Sequence, residues 1–291
     1  MQVARKRPLT VRLRGLVLLG HPGPVLFHAI AVTVFALLAA WPRPVWWVLL
    51  LLIGAHTAMQ LAIAVFNDYC DRKRDALGKP GKPIPGGLVT PREALLAGCV
   101  LLALMVILLA PLPPLSWLLT LGYLALGMAY NLGLKSTPFS GPVFALAMPL
   151  IPLYAFASVG RGLNALAWLL LMGVLLGVAL NLANSLPDLE EDARTGARTL
   201  AVVLGLRNSF LLSESLLILD ALLILILHLS GAQRMPPLVL VLTLLVSGLL
   251  LAILLIFTGP HKARATRKLF FYLTVLICLV LAGGWLIGVL I

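Results

Sequence analysis

The chain has 291 residues, of which 61% are hydrophobic and only 11% are charged, and its mean hydropathy is +1.07. Soluble domains usually carry about 25% charged residues, so the composition argues against a soluble enzyme, a nucleic-acid-binding protein and a disordered chain. The formal net charge of +12 is typical of the sided charge of membrane loops. Three cysteines without a Cys-x-x-Cys pair predict neither a disulfide framework nor a zinc site.

Nine apolar segments are long enough to cross a bilayer, which takes about 20 helical residues. We therefore predict an all-α polytopic membrane protein with spans at 24–41, 45–66, 93–111, 115–131, 140–160, 165–186, 209–229, 237–258 and 269–291. Residues 1–291 are expected to form one transmembrane domain, with 1–20 as a cytoplasmic and interfacial segment. The apolar run after the basic start is too long for a signal peptide.

The basic residues predict the orientation of these spans, because Lys and Arg concentrate in cytoplasmic loops. With the N-terminus inside, 19 of the 22 basic residues fall in inner segments and only Arg43, Arg161 and Arg234 fall in outer ones. A miscounted span would scramble this alternation. We therefore predict a cytoplasmic N-terminus and an external C-terminus.

Seven of the ten acidic residues lie in two short stretches, one after the second predicted span and one after the sixth. Each stretch contains Asn, Asp and Asp at four-residue steps: Asn67, Asp71 and Asp75 in the first, and Asn184, Asp188 and Asp192 in the second. Four residues advance a helix by about 6 Å with little rotation, so each triplet is predicted to line one face. Pro187 predicts a bend within the second triplet.

Carboxylates at the mouth of a helix bundle suit Mg²⁺, which prefers oxygen ligands and combines one or two carboxylates with substrate phosphate oxygens. Two such clusters facing each other would hold two Mg²⁺ ions with a diphosphate between them. The alternative is that these acids are solvated loop residues that balance nearby Arg and Lys. Two matched sets after two different spans favour the metal interpretation.

These motifs resemble the signatures of the UbiA-type intramembrane prenyltransferase superfamily. The similarity covers the span count, both acidic motifs, the stretch Lys82–Gly87, the sequence Gly196–Leu200 after the second motif, and Tyr130 with Lys135 after the fourth span. Two departures stand out. Lys82 replaces a common Arg, which loses bidentate phosphate geometry, and His21 precedes Pro22 where Arg is frequent.

The resemblance implies Mg²⁺-dependent transfer of a prenyl group from an allylic prenyl diphosphate to a lipophilic acceptor in the bilayer. It implies metal ligation by Asn67, Asp68, Asp71, Asp75, Asn184, Asp188 and Asp192. It implies a catalytic set of Asp71, Asp188, Tyr130 and Lys135, and diphosphate contacts from Arg72, Lys73, Lys82, Arg194 and Arg198. The alternative for each single cation is an inner-leaflet anchor.

Polar residues inside the spans are candidates for the substrate pocket, because buried polar groups in lipid need partners. His56 and Gln60 are predicted to line the pocket beneath the metals, with a helix–helix hydrogen bond as the alternative. The stripe Gly173, Gly177, Asn181 and Ser185 predicts close helix packing, with Asn181 as a tentative pocket residue. His28 is interpreted as a packing residue, and the segment 76–89 as a candidate lid.

A secondary transporter is the main alternative function, since two similar motifs in different halves are typical of transporter repeats. However, the carboxylates lie at one edge of the predicted bundle, and Asp220 is the exception in mid-span. A non-catalytic lipid-binding protein is a third reading. Members of the resembling family act on aromatic acids, quinone precursors, haem, chlorophyll-type rings or glycerol-phosphate lipids, and the second motif resembles the quinone-precursor, chlorophyll-type and lipid-ether branches more than the haem branch. The expected location is a prokaryotic plasma membrane, with the site facing the cytoplasm.

Overall fold

A computed structural model describes residues 8–163 and 166–290, and this part of the chain is an assembly of α-helices. The helices are α1 (Leu9–Leu19), α2 (Pro22–Ala40), α3 (Trp46–Gly78), α4 (Pro91–Leu109), α5 (Pro114–Leu132), α6 (Ser140–Ala147), α7 (Leu150–Ser158), α8 (Ala167–Ser185), α9 (Leu189–Arg194), α10 (Leu200–Leu229), α11 (Pro237–Phe257) and α12 (Thr266–Leu290). Among the described residues, nine segments are long and apolar enough to span a membrane. The predicted count is confirmed.

Four of the helices begin at a proline. Helices α2, α4, α5 and α11 begin at Pro22, Pro91, Pro114 and Pro237. Proline lacks the backbone N–H that would be unpaired there, and its fixed φ suits the first turn. The start of α4 is further closed by a capping box between Thr90 and Glu93.

Helix α3 differs from its predicted span in length. It runs unbroken for 33 residues, and therefore continues well beyond the predicted end at residue 66. The first acidic motif lies within the last three turns of this helix, so Asn67, Asp71 and Asp75 are helical residues rather than loop residues. Their four-residue spacing consequently places them along one face, as the sequence predicts.

The second acidic motif is bent, as Pro187 predicts. Helix α8 ends at Ser185, a 3₁₀ turn covers Leu186–Asp188, and α9 then begins at Leu189. Two arginines at and just before the start of α12 satisfy the carbonyls freed by the bend: Arg264 donates to the Pro187 oxygen at 3.0 Å, and Arg267 to the Leu186 oxygen at 3.1 Å. This segment is thus tied to α12.

The amino-terminal helix α1 packs against the segment that follows α3. A small apolar cluster contains Leu19 of α1 together with Val65, Ile84, Val89 and Ala94. A Cβ added at Gly15 would lie 2.5 Å from Val89 Cγ2, so α1 needs glycine at this contact. The candidate lid 76–89 is therefore anchored at its apolar residues, while the predicted tail residues 1–7 lie outside the described part of the chain.

Helix α8 crosses α6 at close range, which confirms the packing role predicted for its small residues. A Cβ on Gly177 would lie 2.6 Å from the Phe144 carbonyl oxygen, and one on Gly173 would lie 2.7 Å from Pro149 Cβ. Small residues allow this approach of backbones in a membrane. The crossing brings the second acidic motif next to the cavity that α3 also lines.

Candidate active site

One cavity of about 520 Å³ opens at the end of the bundle that carries both acidic motifs. All six members of the two matched triplets line it: Asn67, Asp71, Asp75, Asn184, Asp188 and Asp192. The first triplet lies on α3, whereas Asn184 lies on α8, Asp188 in the 3₁₀ turn and Asp192 on α9. The sequence analysis considered two such clusters facing each other, and in the structure both triplets line the same cavity.

The first triplet is fixed by hydrogen bonds to the end of α5 and the turn that follows. Asn67 Nδ2 donates to Asn131 Oδ1 at 2.8 Å, and Asn131 Nδ2 donates to the Ile63 carbonyl oxygen at 2.8 Å. Since Asn67 uses its amide nitrogen here, its oxygen is the atom left to ligate a cation. Asp71 forms an ion pair with Lys135 and a longer one, at 3.6 Å, with Arg74.

The two motifs meet through the end of α3. Lys79 Nζ donates to Asp188 Oδ2 at 3.0 Å, which joins the residue after α3 to the second triplet. A Cβ on Gly78 would lie 2.6 Å from Glu191 Oε1, so α9 packs directly on the carboxyl end of α3. The carboxylates thus border one shared space rather than two separate sites.

Lys82 occupies the centre of a buried charge cluster beside the first triplet. Its Nζ donates to Asp68 Oδ1 at 2.8 Å and to Asp75 Oδ2 at 2.9 Å, while His21 Nε2 lies 2.9 Å from the same Asp68 oxygen. Burial by itself lowers the pKa of Lys82, but the two carboxylates outweigh it and raise the pKa above the ordinary value. Lys82 therefore stays protonated at neutral pH, as a positive charge in the cavity wall.

Lys135 has the opposite balance. Burial lowers its pKa below the ordinary lysine value, and the hydrogen bond and charge of Asp71 offset only part of that effect, because Arg74 and Lys82 add repulsion. An anion bound beside Lys135 would therefore stabilise its charged form. Next to it, Tyr130 lines the cavity and is hydrogen-bonded to Asn184 of the second triplet.

The donor set at the mouth fits a hard divalent cation. Four carboxylates and two amide side chains face one space, and oxygen is the ligand type that Mg²⁺ prefers. In the described part of the chain no three acidic, His or Cys side chains already form a ready-made metal cage.

Several predicted site residues lie away from the cavity. Arg72 donates to the Tyr69 carbonyl oxygen at 2.6 Å and covers the Tyr69 ring, and Lys73, Arg194 and Arg198 are exposed outside the cavity lining. These four side chains therefore do not line the cavity. Asp68 is buried behind the wall, where it pairs with His21 and Lys82 instead of facing the space.

The predicted pocket residues separate into two groups. Gln60 lines the cavity, as predicted, whereas His56 and Asn181 are buried behind it. Asn181 Oδ1 accepts a hydrogen bond from Ser140 at 3.3 Å, which makes it a helix-packing residue. His56 lies beneath Gln60, within reach of its amide at 3.4 Å.

Other cavity residues were missed or assigned differently in the sequence analysis. His28, interpreted there as a packing residue, lines the cavity; so do His21, Arg74, Lys79, Tyr123 and Asn131. A helical signal existed for one pair, since His28 lies seven residues after His21, the residue that precedes α2, so the two fall near the same side of this helix. Lys79 continues the four-residue steps of the first triplet beyond Asp75, and Tyr123 lies seven residues before Tyr130, so both also had a periodic signal.

Below the carboxylates the cavity is apolar. Its inner part lies between α2 and α12, with Phe27 and Ala31 on the first and Phe271, Val275 and Leu279 on the second. A space with charged and amide groups at one end and hydrocarbon walls at the other suits a ligand with an anionic head and an apolar tail. Its volume falls within the range of about 300–1,000 Å³ that is usual for ligand pockets.

The fold and site together define a multi-pass membrane protein with a cavity that has acidic residues at its mouth and apolar inner walls. A family model described as the UbiA prenyltransferase family matches residues 29–289, and the chain belongs to this family. The 4-hydroxybenzoate octaprenyltransferase of Citrobacter koseri is 33% identical over 147 residues, which cover 48% of this chain and 50% of that protein. The chain thus spans about half the length of the relative it matches.

Solved structures show the same fold at low sequence identity. A digeranylgeranylglyceryl phosphate synthase superposes with a TM-score of 0.70 at 16% identity, covering 96% of this chain and 99% of the other. A UbiA homologue from Archaeoglobus fulgidus, solved with GPP and Mg²⁺, gives a TM-score of 0.65 at 18% identity, covering 94% and 100%. Membership of the family and the membrane fold predicted from sequence are both confirmed.

Proposed function

We propose that this chain is a Mg²⁺-dependent intramembrane prenyltransferase. It transfers the prenyl group of an allylic prenyl diphosphate to a lipophilic acceptor and releases diphosphate. The observation that carries the proposal is the cavity itself, in which both Asn-x3-Asp-x3-Asp triplets line one space above apolar walls. Family membership supports the reaction class, and the A. fulgidus homologue solved with GPP and Mg²⁺ supports the ligand class.

The two triplets would hold two Mg²⁺ ions, one on each side of the mouth. Asn67, Asp71 and Asp75 supply oxygen donors on α3, and Asn184, Asp188 and Asp192 supply them on the other side. Bound Mg²⁺ would neutralise the charge that develops on the diphosphate as it leaves.

Basic side chains at the mouth would bind the diphosphate directly. Lys135, Arg74 and Lys79 line the cavity, and each now pairs with a carboxylate of a triplet. When substrate binds, the carboxylates would pair with Mg²⁺ and the basic side chains with phosphate, so the net charge of the site would stay near zero. Pre-placed cations stabilise a leaving group without reorganisation at the moment of reaction.

The apolar part of the cavity would protect the reacting carbon. The C1–O bond of the donor breaks with its electron pair going to diphosphate, the acceptor carbon or oxygen bonds to C1, and the acceptor loses a proton. Hydrocarbon walls on α2 and α12 keep water from trapping the allylic cation. The Tyr130 ring, 5.6 Å from the Phe144 ring at the boundary of the two regions, is placed to stabilise positive charge.

The acidic end of the bundle would face the cytoplasm. This orientation rests on the distribution of the basic residues, 19 on one side and 3 on the other. The proposal includes one catalytic domain over the whole chain and residence in a prokaryotic plasma membrane. Reaction of single introduced cysteines near Lys79 and near Arg161 with an impermeant thiol reagent, on intact and opened cells, tests the orientation.

The acceptor is proposed at the level of class. The 4-hydroxybenzoate named for the C. koseri relative favours an aromatic quinone precursor, while chlorophyll-type rings and glycerol-phosphate lipids are the other classes the family resemblance implies. The aligned part is about half of that relative, so its specific acceptor is not transferred to this chain.

An activity assay on the purified full chain in nanodiscs tests the reaction. Geranyl, farnesyl and geranylgeranyl diphosphates are offered with aromatic and lipid acceptors, and prenylated product and released diphosphate are measured with and without Mg²⁺. Asp71→Ala and Asp188→Ala test one triplet each. Glu214→Ala is the matched control, because Glu214 is a partly buried carboxylate outside the cavity.

Product that needs Mg²⁺, disappears in both triplet variants and persists in the control is the expected result. Mg²⁺-dependent donor binding without product from any acceptor would instead favour the lipid-binding alternative. Absence of both product and donor binding would reject the two-metal reading and favour a transporter.

A further inference from the structure

Three helices place polar side chains at the same depth in the otherwise apolar part of the cavity. His28 on α2, Gln60 on α3 and Tyr123 on α5 all line it. We call these three residues the polar floor. Polar groups inside a membrane span are costly and mark functional positions by default, and none of the three belongs to the acidic motifs.

The depth of the polar floor follows from helix geometry. His28 lies seven residues beyond His21, Gln60 lies seven before Asn67, and Tyr123 lies seven before Tyr130. At 1.5 Å per residue each separation is about 10 Å. The polar floor is therefore about 10 Å below the residues of the mouth, which leaves room for one ring between it and a carbon attached to a bound diphosphate.

Gln60 organises the polar floor through its amide. Its Nε2 lies 3.2 Å from His28 Nδ1 and 3.4 Å from His56 Nε2, and Gln60 is also hydrogen-bonded to Tyr123. An amide nitrogen only donates, so both imidazole nitrogens accept and the ring hydrogen of His28 is on Nε2. Among the described residues, no side chain accepts from His28 Nε2, which therefore remains available as a donor.

The rings around this donor form a slot for a flat ligand. The Tyr123 ring stands edge-on to His28 at 84° and to His56 at 70°, with centroids 6.3 and 5.5 Å apart. Beneath them His56 stacks on Tyr154 at 5.8 Å, and Tyr154 donates to the Leu52 carbonyl oxygen. Such offset and edge-to-face surfaces favour another aromatic ring.

The charge of the slot restricts its ligand further. Of the described side chains that hydrogen-bond or stack on His28, Gln60 and Tyr123, none is Lys, Arg, Asp or Glu. A phosphate or carboxylate at this depth would lack a countercharge, which is costly in a low-dielectric setting. A neutral hydroxyl or carbonyl oxygen satisfies the donors without that penalty.

The geometry points to the polar floor as the acceptor subsite: it binds the neutral oxygen of an aromatic acceptor on the side of the ring opposite the reacting carbon. His28 Nε2 donates to that oxygen, and the Tyr123 hydroxyl and Gln60 amide hold His28 in place. The inference rests on the proposed function, whose acceptor class it narrows from three to hydroxylated or quinone-type rings.

The test compares two probes that differ in one oxygen, 1,4-dihydroxynaphthalene and 1-naphthol. Both carry a hydroxyl next to the reacting carbon, and only the first has the oxygen across the ring. With geranyl diphosphate and Mg²⁺ the wild-type chain is expected to prefer the diol at least tenfold in kcat/KM. His28→Phe and Tyr123→Phe are expected to reduce that preference about tenfold, which corresponds to 1.4 kcal/mol, without raising KM for the donor.

Phe271→Leu is the matched control in the opposite wall of the cavity. It should alter kcat/KM for both naphthols by one common factor and leave their ratio unchanged. Tyr123→Phe removes a single oxygen and preserves the ring, so it tests the inference even if His28→Phe fails to fold.

Thermal stabilisation of each purified variant by the two naphthols separates this inference from the proposed function. Stabilisation of the wild type by the diol, lost in His28→Phe, without transfer from any donor, would support the acceptor subsite and contradict the transferase. Transfer with an unchanged diol preference in both variants would overturn the polar floor as acceptor subsite and leave the transferase standing.

Discussion

Replacing Lys82 with Met should destabilise the free protein and make its stability depend on Mg²⁺. The substitution keeps the side-chain length and removes the ammonium that pairs with Asp68 at 2.8 Å and Asp75 at 2.9 Å, both nearly fully buried. Asp68 retains His21, whereas Asp75 loses the cation that compensates it. Breaking a buried ion pair from one side costs about 3–5 kcal/mol, and the 23% exposure of the Lys82 side chain reduces the expected loss to about 2–4 kcal/mol.

Thermal unfolding of the purified protein in detergent measures this loss. At about 2–4 °C per kcal/mol for a chain of this size, a loss near 3 kcal/mol lowers Tm by about 6–12 °C. Millimolar Mg²⁺ with inorganic diphosphate should recover much of the difference, because a divalent cation replaces the missing charge and stabilises by binding the native state. Lys73→Met is the control, because Lys73 is exposed, and should change stability by less than about 0.5 kcal/mol.

A Tm unchanged in Lys82→Met would refute the argument that Lys82 compensates buried carboxylates. An equal drop with and without Mg²⁺ and diphosphate would show that the cluster is structural and unconnected to the metal site. No alkaline loss is expected between pH 7 and 9, since the pKa of Lys82 is raised and stability from a raised lysine pKa is lost only as pH rises through the folded-state value.

Three further outcomes are expected. Asp71→Asn, which keeps the size of the side chain, should lower kcat at least about 100-fold, while Glu214→Gln should stay near wild type; loss of activity in both would point to misfolding. Because the pKa of Lys135 is lowered, its ammonium is lost at a lower pH than in free lysine, so kcat/KM for the donor should begin to fall below about pH 10.4 as the pH is raised. Lys135→Arg should move this alkaline fall to higher pH. A fall at the same pH in the variant would assign it to another group. Gly177→Val, whose Cβ would lie 2.6 Å from the Phe144 carbonyl oxygen, should destabilise by about 1–3 kcal/mol or more, and an unchanged Tm would show that α6 yields at this crossing.

Much of the fold was predictable from the sequence because the bilayer imposes one length and one composition on every span. The nine spans and the bend at Pro187 follow from apolar runs and from proline chemistry, and both are present. The end of the second span was placed at residue 66, about three turns before Gly78. Hydropathy marks where lipid ends, and a helix continues past that point when its polar face has partners in the protein.

The candidate site was predictable where a motif repeats and unpredictable where contacts are distant in sequence. The six triplet residues share a cavity. Four-residue spacing already aligns the first three on α3, whereas the second three are spread over α8, the 3₁₀ turn and α9. Arg72 and Lys73 were chosen because they lie beside the motif, but neighbouring helical residues point in different directions. Lys79 reaches Asp188, 109 residues away, and His28 reaches Gln60, 32 residues away; only the packing of helices reveals such pairs.

Because α3 is unbroken, it fixes the distance between the two ends of the cavity that it lines. Gln60 of the polar floor and Asp71 of the first triplet lie eleven residues apart on it, about 16 Å, and no proline or glycine interrupts that interval. A change in the size of the bound molecules therefore has to be absorbed by the bent α8–α9 side or by α2 and α12. Helix α3 thus fixes the distance between the polar floor and the first triplet, and the other helices accommodate differences in ligand size.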